Sequence, residues 1–143
     1  RSAFTDQESL TWTPWLMYET WFKLLAINPL TGGFTFLLKM GPNVQAPIHG
    51  HIGAVEAIIL DGVLAYDTDE GKTGYYLFEP GGMKHNPHTG AEGVLLFAVV
   101  HGPLIGYEED GSIAAVIDAK VMYELAEANG QCTHIERPPD WDD

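Results

Sequence analysis

The sequence predicts an all-β fold, a small β-barrel or jelly roll carrying one C-terminal helix. Three observations predict it. About eight short segments rich in β-branched and aromatic residues recur at regular spacing. Clusters of glycine, proline, aspartate and asparagine separate them. Only one stretch, near the C-terminus, carries apolar residues at helical spacing. The 143 residues suffice for one domain with a core and are too few for two ordinary ones. A single domain over residues 1–143 is therefore expected, with a barrel core over about 20–117, a helix over about 119–128 and a tail over 131–143.

In chain order, residues 1–14 are polar, with Trp12 and Trp15 close by, and read as an arm that packs on another surface such as a neighbouring subunit. Residues 20–28 form a strand, Pro29 to Gly33 a turn, and residues 33–40 a second strand. Gly41-Pro42-Asn43 ends it. A segment beginning with two histidines, His49 and His51, runs into the apolar stretch up to Leu60. Asp61-Gly62 introduces a strand over 63–66, residues 67–73 are a loop of turn formers, and residues 74–78 return as a strand. Pro80 to His88 is too rich in glycine and proline for regular structure. Residues 93–101 are almost continuously apolar and read as a strand buried on both faces. Residues 104–107 and 113–117 form a hairpin. The helix has Asp118 as its cap, apolar Val121, Met122, Leu125 and Ala128, and Asn129-Gly130 as its stop. The tail after Cys132, with Pro138-Pro139, reads as loosely ordered.

Composition excludes several classes. Apolar content of 45% and charged content of 19% belong to a globular protein rather than a disordered one. No apolar run is long enough to span a bilayer, and no signal-peptide pattern is visible in a chain that starts at Arg1. A net charge of −13 would repel a polyanion, which sets nucleic acid aside. The acidic residues gather at turns and in the tail, where solvation explains them. The single cysteine, Cys132, rules out an intrachain disulfide and suits the cytoplasm.

His49 and His51 carry the chemistry. On an extended strand, residues two apart face the same side, so both imidazoles project together and are placed to bind one first-row metal ion. The next positions of that parity are Gly53, Val55, Ala57 and Ile59, small or apolar as a closed interior requires. Glu56 has the other parity and points away, unless a bulge resets the register. Downstream, Gly74, Pro80, Gly82 and His85 place a third histidine just past a tight turn.

These residues resemble the two motifs of the cupin family. Gly74, Pro80, Gly82 and His85 meet all four fixed places of G-x5-P-x-G-x2-H. His49, His51 and Gly62 meet part of G-x5-H-x-H-x3,4-E-x6-G. The departures are informative. Seven residues separate Gly41 from His49, Thr89 stands where an asparagine is usual, and the glutamate place counted back from Gly62 holds Val55. The resemblance thus implies a metal site of three histidines, His49, His51 and His85, with Glu56 as a ligand only if a bulge brings it in. Neutral imidazoles would leave the ion's full charge, favouring an anionic, bidentate ligand.

Carboxylate-free sites of this kind resemble acetylacetone dioxygenase and 2,4'-dihydroxyacetophenone dioxygenase. Residues 20–25, 76–80 and 99–102 add to the likeness to the latter group. The resemblance implies a mononuclear Fe(II) enzyme that uses O2 to cleave a C–C bond beside the carbonyl of a β-diketone or α-hydroxyketone. Zinc, nickel and manganese are the alternative metals. The chain also resembles the cupin half of ChrR-type zinc-binding anti-sigma factors, which implies the rival reading of a Zn(II)-binding sensor without turnover. No sigma-binding domain is visible in the chain, so a free-standing enzyme is the expectation. The family also implies a homodimer.

Among the remaining polar residues, Glu79, six residues before His85, is either a carboxylate that orients a ligand histidine or handles the substrate proton, or an exposed strand-end acid. His88, three residues past His85, either faces the cavity or is the solvent-exposed loop residue that a lone histidine there usually is, and His101 reads as structural, held by a backbone partner. Gln45 stands near the expected cavity mouth. Phe34, Phe36, Leu38 and Met40 share one strand face that suits core or an aromatic substrate.

Overall fold

The computed structural model describes residues 3–142; Arg1, Ser2 and Asp143, the ends of the expected domain span and tail, lie outside the described residues. Eleven strands and one α-helix follow in order: β1 (Thr13–Pro14), β2 (Thr20–Asn28), β3 (Gly33–Met40), β4 (His49–His51), β5 (Val55–Ala65), β6 (Glu70–Lys72), β7 (Tyr76–Glu79), β8 (Lys84–His85), β9 (His88–Val100), β10 (Leu104–Tyr107), β11 (Ile113–Ile117) and α1 (Ala119–Ala128). They form two sheets laid out as a jelly roll. The larger runs β1-β2-β3-β9-β5-β6, with β7 also on β5; the smaller runs β11-β10-β4-β8. No helix among the described residues is long and apolar enough to cross a membrane.

The core lies between the sheets. Phe22, Leu24, Phe34, Phe36, Ile59, Leu96 and Ala98 are buried there, and Met122 and Ala126 of α1 close one end. Strand alternation produces this, because inward residues of β3 and β9 interleave with outward ones that, Leu37 apart, are polar or half-exposed along the apolar run. The motif glycines are needed where they stand. Gly62 and Gly82 have φ of +89° and +86°, and a Cβ on Gly62 would lie 2.2 Å from the carbonyl oxygen of Gly93. Thr89, where the motif has asparagine, is buried; its hydroxyl donates to the Gly41 carbonyl at 2.6 Å and accepts from the Val44 amide at 2.9 Å, tying down the loop that leads to His49.

Five expectations are corrected. Residues 55–65 form one strand, not two, because bulges after Ile59 and Gly62 let the chain bend at Asp61-Gly62 without breaking the ladder. In the apolar run of β9, Val94, Leu96, Ala98 and Val100 are buried, while Leu95, Phe97 and Val99 are half-exposed on the outer face. The tail is held rather than loose: Trp141 meets Tyr123 edge-on at 5.5 Å, and Arg137 lies over both rings. The arm packs on its own chain. The Lys23 ammonium donates to the Gln7 carbonyl and side chain at 3.0 and 3.2 Å, and Trp12 sits under Lys23 and Lys39. The helix keeps its boundaries and its Asp118 cap but buries Ala119, Met122, Tyr123 and Ala126; Ala128 is exposed.

A candidate metal centre

β4 projects His49 and His51 to one side, and β8 pairs beside it with His49 opposite His85. The three ring centroids lie 4.5, 4.6 and 5.1 Å apart, and ring nitrogens of all three fall within 4.8 Å of one another. His49 Nδ1 lies 3.0 Å from the Pro47 carbonyl, so it carries the proton and turns Nε2 inward. His51 and His85 bring their Nε2 atoms into contact. Burial lowers the pKa of His49 and takes that of His85 down to about 4, so both rings are neutral near pH 7, as ligands must be.

A carboxylate joins them. The motif's glutamate place, Val55, is apolar and buried, but its ladder partner on β7 is Glu79. Residues opposite each other in a ladder share a face, so Glu79 reaches the interior that Val55 faces. It is 8% exposed, and its Oε2 lies 2.9 Å from His51 Nε2 and 3.2 Å from His85 Nε2. Of its two sequence readings, the exposed strand-end acid is excluded. Burial works to raise its pKa, but its contacts with His51 and Tyr66 and the nearness of His85 outweigh burial and bring it below the usual carboxylate value. Tyr66, just past the end of β5, donates its hydroxyl to Glu79 Oε1 and stacks on His85 at 5.0 Å and 14°. Burial and the Glu79 charge push the Tyr66 phenol well above its ordinary value, which keeps it a donor.

A divalent first-row ion fits this donor set. Glu79 Oε2 is buried and receives no hydrogen bond, although two imidazole nitrogens face it. Lone pairs converging at such distances repel one another unless a cation sits among them, and neutral imidazoles with an anionic oxygen suit such an ion.

The site lies at one end of a cavity of about 350 Å³ between the sheets, walled by Trp15, Phe36, Leu38, Leu64, Leu96 and Leu104 among others. Among the described lining residues Glu79 is the one acid, and no lysine or arginine appears. Phe36, Leu38 and Met40 of the expected wall line it, whereas Phe34 is core behind Phe36.

Other sequence candidates fall outside. Glu56 stands on the outer face with no bulge before it, 2.8 Å from His101 and accepting from the Tyr76 hydroxyl at 2.6 Å. His101 is thus held by a side chain and not by the backbone partner expected. His88 is half-buried at the start of β9 and does not line the cavity. The Gln45 amide donates to the carbonyls of Ala46, Asn86 and Pro87, bracing the loop behind β8 instead of facing the cavity. Tyr66 was missed from sequence. Parity counted from the histidines puts it outside with Glu56, and only the bulge between Ile59 and Asp61 turns it inward.

The chain matches the model of the ChrR cupin-like domain over residues 1–105. None of the curated proteins matches it. Among solved structures it is similar to an RmlC-like cupin protein of Ralstonia eutropha JMP134, at 23% identity and a TM-score of 0.84, covering 96% of this chain and 92% of that one. It is similar to an acetylacetone dioxygenase from Acinetobacter johnsonii at 17% identity and a TM-score of 0.77, with 90% and 91% covered. A chain from the complex of Rhodobacter sphaeroides SigE with the anti-sigma ChrR is similar at 20% identity and a TM-score of 0.56, with 66% and 50% covered. At these identities the likeness establishes the fold.

Proposed function

The chain belongs to the family of ChrR cupin-like domains, and from that footing we propose that it is a mononuclear Fe(II) dioxygenase cleaving the C–C bond beside the carbonyl of a β-diketone or α-hydroxyketone. The observation that carries this reading is the convergence of three imidazoles and one buried carboxylate at the end of an apolar cavity. The fold's acetylacetone dioxygenase neighbour supports it. His49, His51 and His85 would hold the ion through Nε2. A ferrous ion bound there supplies a Lewis acid for two substrate oxygens and the electrons that activate O2.

The chain's own residues do the rest. Glu79, kept anionic in a buried setting, takes the acidic C–H proton of the ketone and returns it to the acid product. Tyr66 fixes that carboxylate through its hydroxyl and holds the His85 ring flat against its own. The apolar walls exclude water and favour an uncharged carbonyl compound. For a β-diketone, R–CO–CH2–CO–R′ + O2 gives R–COOH + OHC–CO–R′, which balances without a further reductant. O2 uptake after anaerobic Fe(II) loading, over a panel of such ketones, tests this. Uptake above the His85→Ala background supports it, and none across the panel overturns it.

The family match and the likeness to the ChrR complex favour a second reading, a Zn(II)-binding module without turnover. Stoichiometric zinc in protein expressed without added metal, with no O2 consumption after exchange to iron, would select it.

A further inference from the structure

Both sheets turn a row of small residues to the cavity. In the larger sheet the ladder sets Phe36, Ala98 and Ala57 side by side, from β3 through β9 to β5. In the smaller sheet it sets His49, Gly106 and Ala115 side by side, from β4 through β10 to β11. Ladder partners share a face, and all six residues line the cavity. The flanking rows are bulky, Leu38 with Leu96 on one sheet and Leu104 with Ile117 on the other. Stacked sheets lie about 10 Å apart, a gap that side chains from both normally fill. Alanine and glycine leave a layer of it open.

The backbone does not require glycine at position 106. Its φ is not positive, and a Cβ built there would meet nothing nearer than 3.9 Å, the Cβ and carbonyl oxygen of Ala115. Its effect is to keep the slot clear. At the inner end stand the histidines and Glu79, which is 8% exposed and whose Oε2 lines the cavity without a hydrogen bond. At the outer end β11 is the edge of the smaller sheet and Ala115 is exposed, so the slot reaches solvent there.

We propose that this slot selects a ketone carrying one unbranched apolar arm, which trails from the metal centre past Gly106 toward β11, and that Ala57, Ala98, Gly106 and Ala115 set the specificity. Two strand spacings of about 4.8 Å separate His49 from Ala115. The slot is therefore roughly 10 Å long, or about six to eight carbons at ~1.3 Å of advance per bond. A branched arm would meet Leu96 and Leu104. A charged tip would find no lysine or arginine among the described lining residues. The choice of a chelating ketone as head group rests on the dioxygenase reading; the slot does not, and the test separates the two.

Its first part is calorimetric binding to the zinc-loaded protein. The ligands are acetylacetone and homologues in which one methyl is replaced by a straight chain of up to about ten carbons, longer than the slot. The dissociation constant should fall about fourfold per methylene, the value for a methylene taken fully from water, and level off near six to eight carbons. Gly106→Leu should abolish the gain, as should Ala115→Leu at an exposed edge position where folding is least at risk. Val116→Leu, on the outer face of β11, should keep it. A flat series, no binding of any homologue, or a gain that survives in both slot variants overturns the proposal.

Its second part is kcat/KM for O2 uptake by the iron-loaded protein over the same series. A gain carried by KM, lost in the two slot variants, supports the slot. Uptake independent of arm length overturns the slot and leaves the dioxygenase reading standing. Length-dependent binding without uptake of any homologue supports the slot and removes that reading.

Discussion

Glu79 of β7 and Glu56 of β5 anchor two clusters of the same three residue types on opposite faces of the larger sheet. Inside, Glu79 accepts from Tyr66 and faces His51 and His85; outside, Glu56 accepts from Tyr76 and faces His101. The ladder positions are adjacent, Val55 opposite Glu79 and Glu56 opposite Phe78, so one step along the strand separates a buried carboxylate from one whose side chain is 43% exposed. Composition is therefore not what makes the inner cluster a site. Water screens the outer carboxylate and its histidine. The inner carboxylate stays anionic against the pull of burial because other groups hold it so. That leaves it with an atom that lacks a protein hydrogen bond and turns the cluster toward a cation.

The comparison breaks most visibly at His85. His85→Ala should lower metal affinity by more than ~100-fold, read by competition with a chromophoric chelator, while the dichroism spectrum is retained. Glu79→Gln keeps the volume and removes the charge. We expect roughly a 10- to 100-fold loss of metal affinity and a larger fall in O2 uptake, on the order of 100-fold or more. If only uptake falls, Glu79 acts on the substrate proton alone. Tyr66→Phe keeps the ring against His85 and deletes the hydrogen bond, so a fall of about 10-fold in kcat with KM retained is expected. Tyr66→Leu, losing the stack as well, should also loosen the metal.

Acid sharpens the contrast further. In the metal-free protein the His85 pKa is about 4, below the ordinary 6.5, so the unfolded chain takes up that proton first. Stability should therefore fall as pH drops from about 6.5 toward about 4. Glu79, whose pKa lies below the ordinary 4.5, adds stability that is present above that value and lost as pH falls through its depressed one, in the same direction. Urea midpoints in the presence of chelator at about pH 7, 5.5 and 4.5 check this. The His85→Gln variant should show the shallower slope above pH 5 or so.

What the sequence makes legible here is what depends on local geometry. The His49/His51 parity, the glycine-bounded turn before His85, the hairpin and the capped helix all follow from neighbours along the chain, and each stands where expected. Parity also places Glu56 outside, since the bulges of β5 come later. What pairing across the sheet decides was not legible. Glu79 meets the histidines because β7 lies against β5 in one register, and Tyr66 reaches it from the far end of the same strand. The arm's docking on Lys23 and the bare outer row of β9 likewise depend on contacts between distant segments.

The smallest expected effect is the control for the whole contrast. Glu56→Gln removes a carboxylate from a cluster of the same residue types, a tyrosine and one histidine where Glu79 has a tyrosine and two. The outer group is screened by water, and its hydrogen bonds can be replaced by solvent at little cost. Metal affinity and O2 uptake should stay within about twofold of the wild type, against the losses expected for Glu79→Gln. Equal losses in both variants would mean that charge on this sheet acts at long range, whichever face carries it. The inner cluster would then owe its behaviour to the sheet's field rather than to burial among the histidines. A loss confined to Glu79→Gln traces the chemistry to the single ladder step that turns a glutamate inward.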